Sequence, residues 1–265
     1  MVKDFENKNY WALILGGSGG LGLATAKKLA QHGCNIIIVH RNSKTDSVAI
    51  EQEFAEIKAT GVDFLSFNKD AMQVEKRNEV IRVIEEKMHE TGKIRVLVHS
   101  IAKGNLKPMI DGEQPALQND DFHVTLESMA ISLYDWTKLL FEKNLFATDA
   151  RVISFTSEGN TKAFKTYAAV SAAKAALEAI TRNIALEFAP HGIKANCIQA
   201  GVTDTISFRM IPGHEQLKER SINRNPYKRL TTPEDVANIV YLLCKDEAAW
   251  INGSIIIADG GEHIS

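Results

Sequence analysis

A tyrosine and a lysine stand seven residues apart in a segment whose sequence is typical of a helix. The segment, TYAAVSAAKAALEAITRNIALE, spans residues 166–187, and the two residues are Tyr167 and Lys174. Seven residues make about two helical turns, so both side chains would project from nearly the same face. An ammonium group near a phenol favours the phenolate and makes the tyrosine a better acid. The pattern predicts a proton-donating pair, although a tyrosine and a lysine on one helix face are common.

A glycine-rich turn near the start of the chain predicts a site for the pyrophosphate of a dinucleotide. The turn, GGSGGLG at 16–22, lies between an apolar run and a helix-like segment. Small residues let the backbone approach a phosphate, and the N-terminus of the following helix favours its negative charge. A merely tight turn is the alternative, but the strand–turn–helix context supports the nucleotide site. The residues predicted to contact the cofactor here are Gly16, Ser18, Gly20, Leu21 and Gly22.

The residues after the second predicted strand indicate which dinucleotide binds. They read HRNSK at 40–44, and the first acid is Asp46. Sites for NAD usually place an acid here, which accepts a hydrogen bond from the ribose 2′-hydroxyl. Arg41, with Ser43 or Lys44, could instead bind a 2′-phosphate through charge-assisted hydrogen bonds. The sequence favours NADPH over NADH; solvated surface charges at Arg41 and Lys44 are the alternative.

Two more strand ends supply candidate cofactor contacts. Asp70 and Ala71 follow the third predicted strand, and Asp70 could hydrogen-bond the adenine amine or cap a helix. Ser100, Ile101 and Ala102 follow the fourth predicted strand and would line the cofactor. Ligands of open α/β sheets bind outside the carboxyl ends of the strands, so both groups are predicted to face one crevice.

The elements that would position these residues alternate between strand and helix along the whole chain. Continuous apolar runs are typical of parallel strands buried on both faces, and i, i+4, i+7 patterns between them predict helices. The predicted strands lie at residues 10–15, 34–40, 62–67, 94–99, 151–156, 193–199 and 254–258. The chain is therefore predicted to be α/β, with one domain over residues 1–265. We expect a Rossmann-like, doubly wound parallel sheet of about seven strands with helices on both faces.

Two long stretches, at 103–121 and 201–231, interrupt this alternation. Both contain glycine and proline, and each follows a predicted strand at the ligand-binding edge. Long loops inside a compact domain are usually functional or contain short helices of their own. We expect both stretches to form walls of a substrate site, with 201–231 as a mobile lid. Ordinary surface insertions are the alternative, more so for the first stretch.

The composition restricts the class of protein. A chain of 265 residues that is 45% hydrophobic suits one large domain, and a net charge of -2 gives no reason to expect nucleic acid or a membrane as a partner. The cysteines, Cys34, Cys197 and Cys244, lack disulfide or zinc spacing and are interpreted as buried apolar residues. The N-terminus is too polar for a signal peptide, and no apolar run reaches the roughly 18 residues that span a bilayer. We expect a cytoplasmic protein without a metal site.

Five segments together resemble the short-chain dehydrogenase/reductase family across nearly the whole chain. In that family the catalytic tyrosine usually lies four residues before the lysine, where this chain has Val170, which cannot donate a proton. A spacing of seven is similar to the enoyl-acyl-carrier-protein reductase branch. The five family segments are Gly16-x-x-x-Gly20-x-Gly22, Asp70-Ala71, KAAL at 174–177, NCIQAG at 196–201 and ADGG at 258–261. Three more segments resemble the branch: HSIA at 99–102, ISLY at 131–134 in place of an active-site asparagine, and RLTTPED at 229–235.

Two features depart from the main form of that branch. The main form has a second tyrosine ten residues before the catalytic one, where this chain has Ser157. Ser157 instead matches the position of the family's usual catalytic serine. The glycine turn also has the spacing of the wider family. The chain therefore resembles a divergent enoyl reductase, and its acyl substrate stays open.

The resemblance implies a reaction and roles for individual residues. NADPH would deliver hydride to the β-carbon of a 2-enoyl thioester, as in fatty acid biosynthesis, while Tyr167 hydrogen-bonds the thioester oxygen on which charge develops. Lys174 would bind the nicotinamide ribose hydroxyls, and Ser157 would assist Tyr167 or shape the pocket. Further cofactor contacts are predicted in the turn after the sixth strand, at Gly201, Val202, Thr203 and Thr205.

Partners and alternative functions follow from the same resemblance. An acidic acyl carrier protein could dock on the basic lid, although a solvated helix face explains the charges at least as well. A homotetramer would form through long helices at 123–143 and 166–189. The alternatives are a 3-oxoacyl or other carbonyl or alcohol reductase, which Val170 argues against, and a non-catalytic dinucleotide-binding regulator, which Tyr167 and Lys174 argue against. The basic lid residues are Lys218, Arg220, Arg224, Lys228 and Arg229.

Overall fold

Parallel strands form the centre of the molecule. The computed structural model describes residues 3–88, 91–110 and 115–265, and Lys44 through its backbone only. Within these residues, seven strands pair in the order β3-β2-β1-β4-β5-β6-β7, and every pairing is parallel. The strands are β1 Tyr10–Leu15, β2 Asn35–His40, β3 Phe64–Asn68, β4 Lys93–His99, β5 Phe146–Thr156, β6 Ile193–Ala200 and β7 Ile255–Ala258. Each of them overlaps a predicted strand.

The strand order reverses at β1, which pairs with β2 on one side and β4 on the other. Leu15 at the end of β1 is in register with Val39 and with His99. Parallel strands that diverge at such a switch point leave a crevice outside their carboxyl ends, where ligands bind. The doubly wound topology therefore places the glycine turn after β1 beside the segment after β4.

Helices cover both faces of the sheet, as predicted. Alternate residues of β1 point to opposite faces, so Leu13 and Ile14 belong to two separate cores. Trp136 and Leu177 pack in the first core, and Phe54 packs in the second. The helices are α1 Gly20–Gln31, α2 Ser47–Lys58, α3 Val74–Met88, α4 Asn119–Leu126, α5 Ser132–Glu142, α6 Ala168–Glu187, α7 Ile206–Arg209, α8 His214–Arg224 and α9 Pro233–Cys244.

The three cysteines are buried and unpaired, which confirms their interpretation as apolar core residues. Cys34, Cys197 and Cys244 are each no more than 1% exposed. Among the described residues, no helix combines the length and the apolar character that crossing a membrane requires.

The two long stretches differ in structure. The stretch at 201–231 contains α7 and α8, and a parallel bridge between Thr203 and Thr231 joins its two ends. Its two helices and this closed base define what we call the lid. The stretch at 103–121 is irregular up to the start of α4, and its residues 111–114 lie outside the described part of the chain. Both stretches lie at the carboxyl edge of the sheet, as predicted.

Candidate active site

One cavity of about 230 Å³ at the carboxyl edge of the sheet brings the three predicted catalytic residues together. Tyr167, Lys174 and Ser157 all line it, although they come from the residue before α6, the second turn of α6 and the residue after β5. Predicted cofactor residues that line the same cavity are Leu21, Ala102, Gly201, Val202, Thr203 and Thr205. The remaining predicted cofactor residues lie outside this cavity, along the carboxyl ends of β1 to β4.

The ring of Tyr167 is held against a glycine. A Cβ atom at Gly159 would lie 2.5 Å from Cε1 of Tyr167, so only glycine admits the ring in this position. Phe164 packs edge-on against the same ring, with centroids 6.2 Å apart. The Tyr167 hydroxyl lies 3.4 Å from Ser157 Oγ. Burial raises the pKa of Tyr167 above its usual value, and the contact with Ser157 opposes this rise. The phenol is therefore protonated at neutral pH and available as a donor.

The predicted start of the catalytic helix is wrong by two residues. α6 begins at Ala168, not at residue 166. Thr166 has a φ of 64°, in the left-handed region that a threonine rarely adopts, and Tyr167 is the non-helical residue that precedes the first turn. Tyr167 is therefore the N-cap residue rather than a residue of the first turn, and it still lines the same cavity as Lys174.

Lys174 is buried beneath the cavity and donates to the protein backbone. Its ammonium group is hydrogen-bonded to the Phe155 carbonyl at 2.6 Å, and the residue is 8% exposed. Burial lowers the pKa of Lys174 to about 8, against the opposing effects of Cys197 and Glu178. The expected influence of this ammonium on the pKa of Tyr167 is not seen, because burial and Ser157 determine that pKa. Lys174 is thus placed to bind a ligand hydroxyl rather than to act on the phenol directly.

A buried histidine that sequence reasoning did not single out as chemically active lies beside Lys174. His99 ends β4, and its Nε2 atom is 2.7 Å from Ser132 Oγ. Ser132 donates its one hydroxyl hydrogen to the Ser128 carbonyl, so His99 Nε2 is the donor. Burial, followed by the nearby Lys174 ammonium, lowers the pKa of His99 to about 3, which keeps the ring neutral. Ser132 falls in the ISLY segment, directly after a π-helical turn at Glu127–Ile131, a distortion frequent at functional sites.

The glycine turn has the shape that a dinucleotide pyrophosphate needs. A Cβ at Gly16 would lie 2.5 Å from the Ser100 carbonyl oxygen, and one at Gly22 would collide with the backbone of Gly16. The first turn of α1 follows directly, and no side chain caps its N–H groups. Free N–H groups at a helix N-terminus bind anions. Thr205 from the lid lies next to Gly20, so the predicted cofactor contact at Thr205 falls beside the glycine turn.

Arg41 and Asp70, predicted for two different parts of the nucleotide, form an ion pair with each other. The Arg41 Nη1 atom lies 2.8 Å from Asp70 Oδ2, and the Arg41 side chain is 58% exposed. Asp70 Oδ1 also accepts a hydrogen bond from the Met72 N–H at 3.0 Å. Burial would raise the pKa of Asp70, but the Met72 N–H and Arg41 outweigh it and lower that pKa. Asp70 is therefore ionised. It accepts from the Met72 N–H where the chain turns toward α3, and it would compete with a 2′-phosphate for Arg41.

The remaining predicted cofactor residues are fixed by the backbone around the crevice. Ser18 donates to Asn42 Oδ1 at 2.7 Å, which ties the glycine turn to the end of β2. Ser100 N–H donates to the Leu15 carbonyl, and Ile101 packs against the first core. Ala71 is buried, and its carbonyl accepts from the Trp136 indole. Ala71 therefore has a packing role that is independent of any cofactor.

The lid forms an apolar roof over the cavity, and its basic residues are largely paired within the chain. Lys218 pairs with Asp204, Arg229 pairs with Asp235, and Arg224 joins two carboxylates. The net positive charge of the lid is therefore lower than its sequence predicts. Asp204 lies within the lid itself and Asp235 ends the RLTTPED segment, whereas the two partners of Arg224, Glu158 and Glu262, lie in distant segments. The roof residues are Phe208, Ile211 and Leu217.

The chain is similar along nearly its whole length to known oxidoreductases. Residues 16–263 match the family model described as enoyl-(acyl carrier protein) reductase. The chain is 27% identical to the peroxisomal 2,4-dienoyl-CoA reductase of Mus musculus, over 96% of this chain and 84% of that protein. It is 28% identical to the 2-dehydro-3-deoxy-D-gluconate 5-dehydrogenase of Formosa agariphila, over 98% of this chain and 95% of that protein. The crystal structure of enoyl-[acyl-carrier-protein] reductase (NADH) from Aquifex aeolicus VF5 is similar with a TM-score of 0.83, at 27% identity and 98% coverage of both chains.

Proposed function

We propose that this chain, which belongs to the short-chain dehydrogenase/reductase family, reduces the 2,3 double bond of a 2-enoyl thioester with NADPH. Its membership of the family makes it an oxidoreductase that uses a nicotinamide dinucleotide. We choose the reaction within the family from the side chain that lines the cavity and can donate a hydrogen bond to the substrate oxygen.

The observation that carries this proposal is the position of the Tyr167 hydroxyl. It lines the same cavity as Lys174, whereas Val170, at the position of the usual family tyrosine, adds only an apolar surface. Val170 packs with Met129 and Ala173. A carbonyl that becomes an alcohol needs a full proton on its oxygen, whereas an enolate oxygen needs only a hydrogen-bond donor while charge develops. The phenol of Tyr167, whose pKa burial raises, is such a donor.

The roles of the side chains follow from their contacts. NADPH, when bound, would supply the hydride for the β-carbon of the substrate, and a proton that originates in the solvent would complete the saturated product at the α-carbon. Tyr167 donates a hydrogen bond to the thioester oxygen, and Ser157 orients the phenol through the 3.4 Å contact. Lys174, held by the Phe155 carbonyl, keeps two N–H bonds for the ribose hydroxyls and adds positive potential. The apolar roof excludes water from the developing enolate.

The preference for NADPH is supported by charge at the end of β2. Arg41 is exposed there, and the residues from 40 to 44 contain no acid that would accept from a ribose 2′-hydroxyl. Binding a 2′-phosphate requires Arg41 to leave Asp70, so the preference depends on how strongly Asp70 competes. The related Aquifex structure is an enzyme that uses NADH, which makes this the point on which the chain would differ.

The partners proposed for the chain are an acyl carrier protein, which would bring the thioester, and three further copies of the chain. An apolar groove along α5 and α6 supports the homotetramer, because its lining includes Ile131 and Tyr134, each 41% exposed. Sedimentation velocity distinguishes a tetramer from a monomer directly. The proposed location is the cytoplasm, where a carrier protein would meet the lid.

The reaction is tested by following NADPH oxidation with a 2-enoyl thioester, a 3-oxoacyl thioester and no substrate. Consumption with the enoyl substrate alone supports the proposal, and product analysis should show the saturated thioester. Consumption with neither would leave a dinucleotide-binding regulator as the better account.

A 3-oxoacyl reductase is the second candidate, and Ser157 is the observation that favours it. This serine lines the cavity at the position of the family's usual catalytic serine, within 3.4 Å of a phenol. Consumption of NADPH with the 3-oxoacyl thioester alone would identify this reaction.

A further inference from the structure

Three charged side chains lie in the wall of the cavity, and the reaction proposed above uses none of them. Glu158 follows Ser157, Arg224 ends α8, and Glu262 belongs to the C-terminal segment; all three line the cavity. Arg224 Nη2 donates to Glu158 Oε1 at 2.6 Å and to Glu262 Oε1 at 2.8 Å. We call this group the polar wall. It contrasts with the apolar wall, where Leu106, Met129 and Val170 pack around Tyr167.

Two buried atoms of the polar wall have no hydrogen-bond partner among the residues that the structure describes. They are Glu262 Oε2, in a residue that is 2% exposed, and Arg224 Nε. Buried polar atoms are almost always partnered, and a charged group left unpaired is especially costly. The second oxygen of Glu158 differs, because it accepts from Lys162 at 2.7 Å. The polar wall thus contains one acceptor, Glu262 Oε2, and one donor, Arg224 Nε, without a hydrogen-bond partner among the described residues.

This capacity defines a class of ligand group. An added anion would accept from Arg224 Nε but could not donate to Glu262 Oε2. An added cation would satisfy Glu262 but not the free N–H of Arg224. A hydrocarbon chain satisfies neither atom. A hydroxyl can satisfy both from its single oxygen, and an amide can do so with its N–H as the donor and its carbonyl oxygen as the acceptor.

We propose that the substrate carries a hydroxyl or amide group that donates to Glu262 Oε2 and accepts from Arg224 Nε. The polar wall then selects 2-enoyl thioesters that contain such a group over purely hydrocarbon ones. This inference rests on the reaction proposed above and specifies its substrate. Two parts of a thioester can supply the group: a hydroxyl on the acyl chain, or an amide in a pantetheine-like thiol arm.

The test uses two matched pairs of substrates with the wild-type enzyme and NADPH. The first pair is a 2-hexenoyl thioester with and without a terminal hydroxyl. The second pair is a 2-hexenoyl thioester of N-acetylcysteamine and one of an alkyl thiol of equal length. A hydrogen bond to a charged group corresponds to a change of about tenfold or more in kcat/KM. We expect that preference in one pair, and the pair that shows it identifies the source of the group.

Two variants connect the preference to the polar wall. In Glu262→Gln the amide oxygen is required by Arg224, so an NH₂ group replaces Oε2 and cannot accept; the preference should disappear. Arg224→Lys removes the Nε donor and should also reduce the preference. The matched control is Glu219→Gln, which makes the same change at an exposed position of α8 and should keep the preference.

The possible results separate this inference from the reaction. Equal kcat/KM values within both pairs, with all four thioesters reduced, would overturn the inference and leave the reaction standing. A preference that persists in Glu262→Gln would also overturn it. No reduction of any thioester would overturn the reaction and the inference together. The wild-type comparison decides the question even if a variant fails to fold.

Discussion

The hydroxyl of Tyr167 lies 3.4 Å from Oγ of Ser157, a residue ten positions earlier in the chain. The contact joins the end of β5 to the residue before α6, and Gly159 makes it possible by leaving room for the ring. It gives the phenol a fixed orientation in a cavity that also contains Lys174.

Replacing Tyr167 by phenylalanine should lower kcat by about 100- to 1,000-fold, the usual cost of removing one oxyanion donor. The Kd for NADPH should stay nearly unchanged, because the phenol is assigned to the substrate oxygen. Steady-state kinetics and a fluorescence titration of the dinucleotide measure the two effects. Tyr227→Phe is the control, because Tyr227 is 76% exposed and lies outside the cavity. Wild-type rates in Tyr167→Phe would show that another group stabilises the enolate.

Gly159→Ala should lower kcat without changing any group that takes part in the reaction. The new Cβ would lie 2.5 Å from the Tyr167 ring, so the phenol must move away from Ser157. Displacements of this kind cost on the order of 10² in rate. Lys165→Ala, which changes an exposed side chain close to Tyr167, is the control and should keep its rate. A fully active Gly159→Ala enzyme would mean that the position of the ring is unimportant.

The pH dependence of kcat/KM should show an alkaline limb controlled by Lys174. Burial lowers its pKa to about 8, so the ammonium loses its proton as the pH rises through that value. Because the charged form binds the ribose hydroxyls, kcat/KM should fall above pH 8 and stay level between pH 6 and 7.5. The Kd for NADPH should rise over the same range, and both are measured in buffers of constant ionic strength. His99 should add no acidic limb in this range, because its pKa is about 3. A rate that continues to rise above pH 9 would contradict the assignment.

The Arg41–Asp70 ion pair should determine how well the enzyme distinguishes NADPH from NADH. Arg41→Ala removes the group assigned to the 2′-phosphate and should raise the KM for NADPH about tenfold, with little effect on NADH. Asp70→Asn should instead increase the preference for NADPH over NADH. It frees Arg41 to bind the 2′-phosphate, while its amide oxygen can still accept from the Met72 N–H. Equal effects on both cofactors in both variants would show that Arg41 does not recognise the phosphate.

Charge reversal at Arg220 should distinguish a carrier-protein substrate from a small thioester. Arg220 is an exposed residue of α8, and reversing its charge should slow the approach of an acidic partner. Arg220→Glu is expected to raise the apparent KM for an acyl carrier protein substrate but not for an N-acetylcysteamine thioester. Lys87→Glu makes the same charge change on α3 and should affect neither substrate. Identical KM values for both substrates in Arg220→Glu would argue against docking on the lid.

The sequence alone was sufficient to predict the fold and the general location of the site. Apolar runs and helical periodicity reflect which residues of a short segment are buried, and they can be read without knowing the tertiary structure. The seven strands were therefore predicted to within a few residues, except that β5 begins earlier, at Phe146. The glycine turn was recognisable because close backbone contacts admit only glycine, as Gly16 and Gly22 show. The spacing of seven between Tyr167 and Lys174 also separated this chain from the commoner members of its family.

Only the tertiary structure revealed the contacts between distant segments. Thr166 has a left-handed conformation, so the catalytic helix begins two residues later than predicted, and no local propensity predicts this. Arg41 and Asp70 appeared as separate ligand groups until their strands were paired. Arg224 meets Glu158 across 66 residues and Glu262 across 38. Charged residues have the same local signature whether they are solvated or buried, so the fold decides which of them meet inside a cavity.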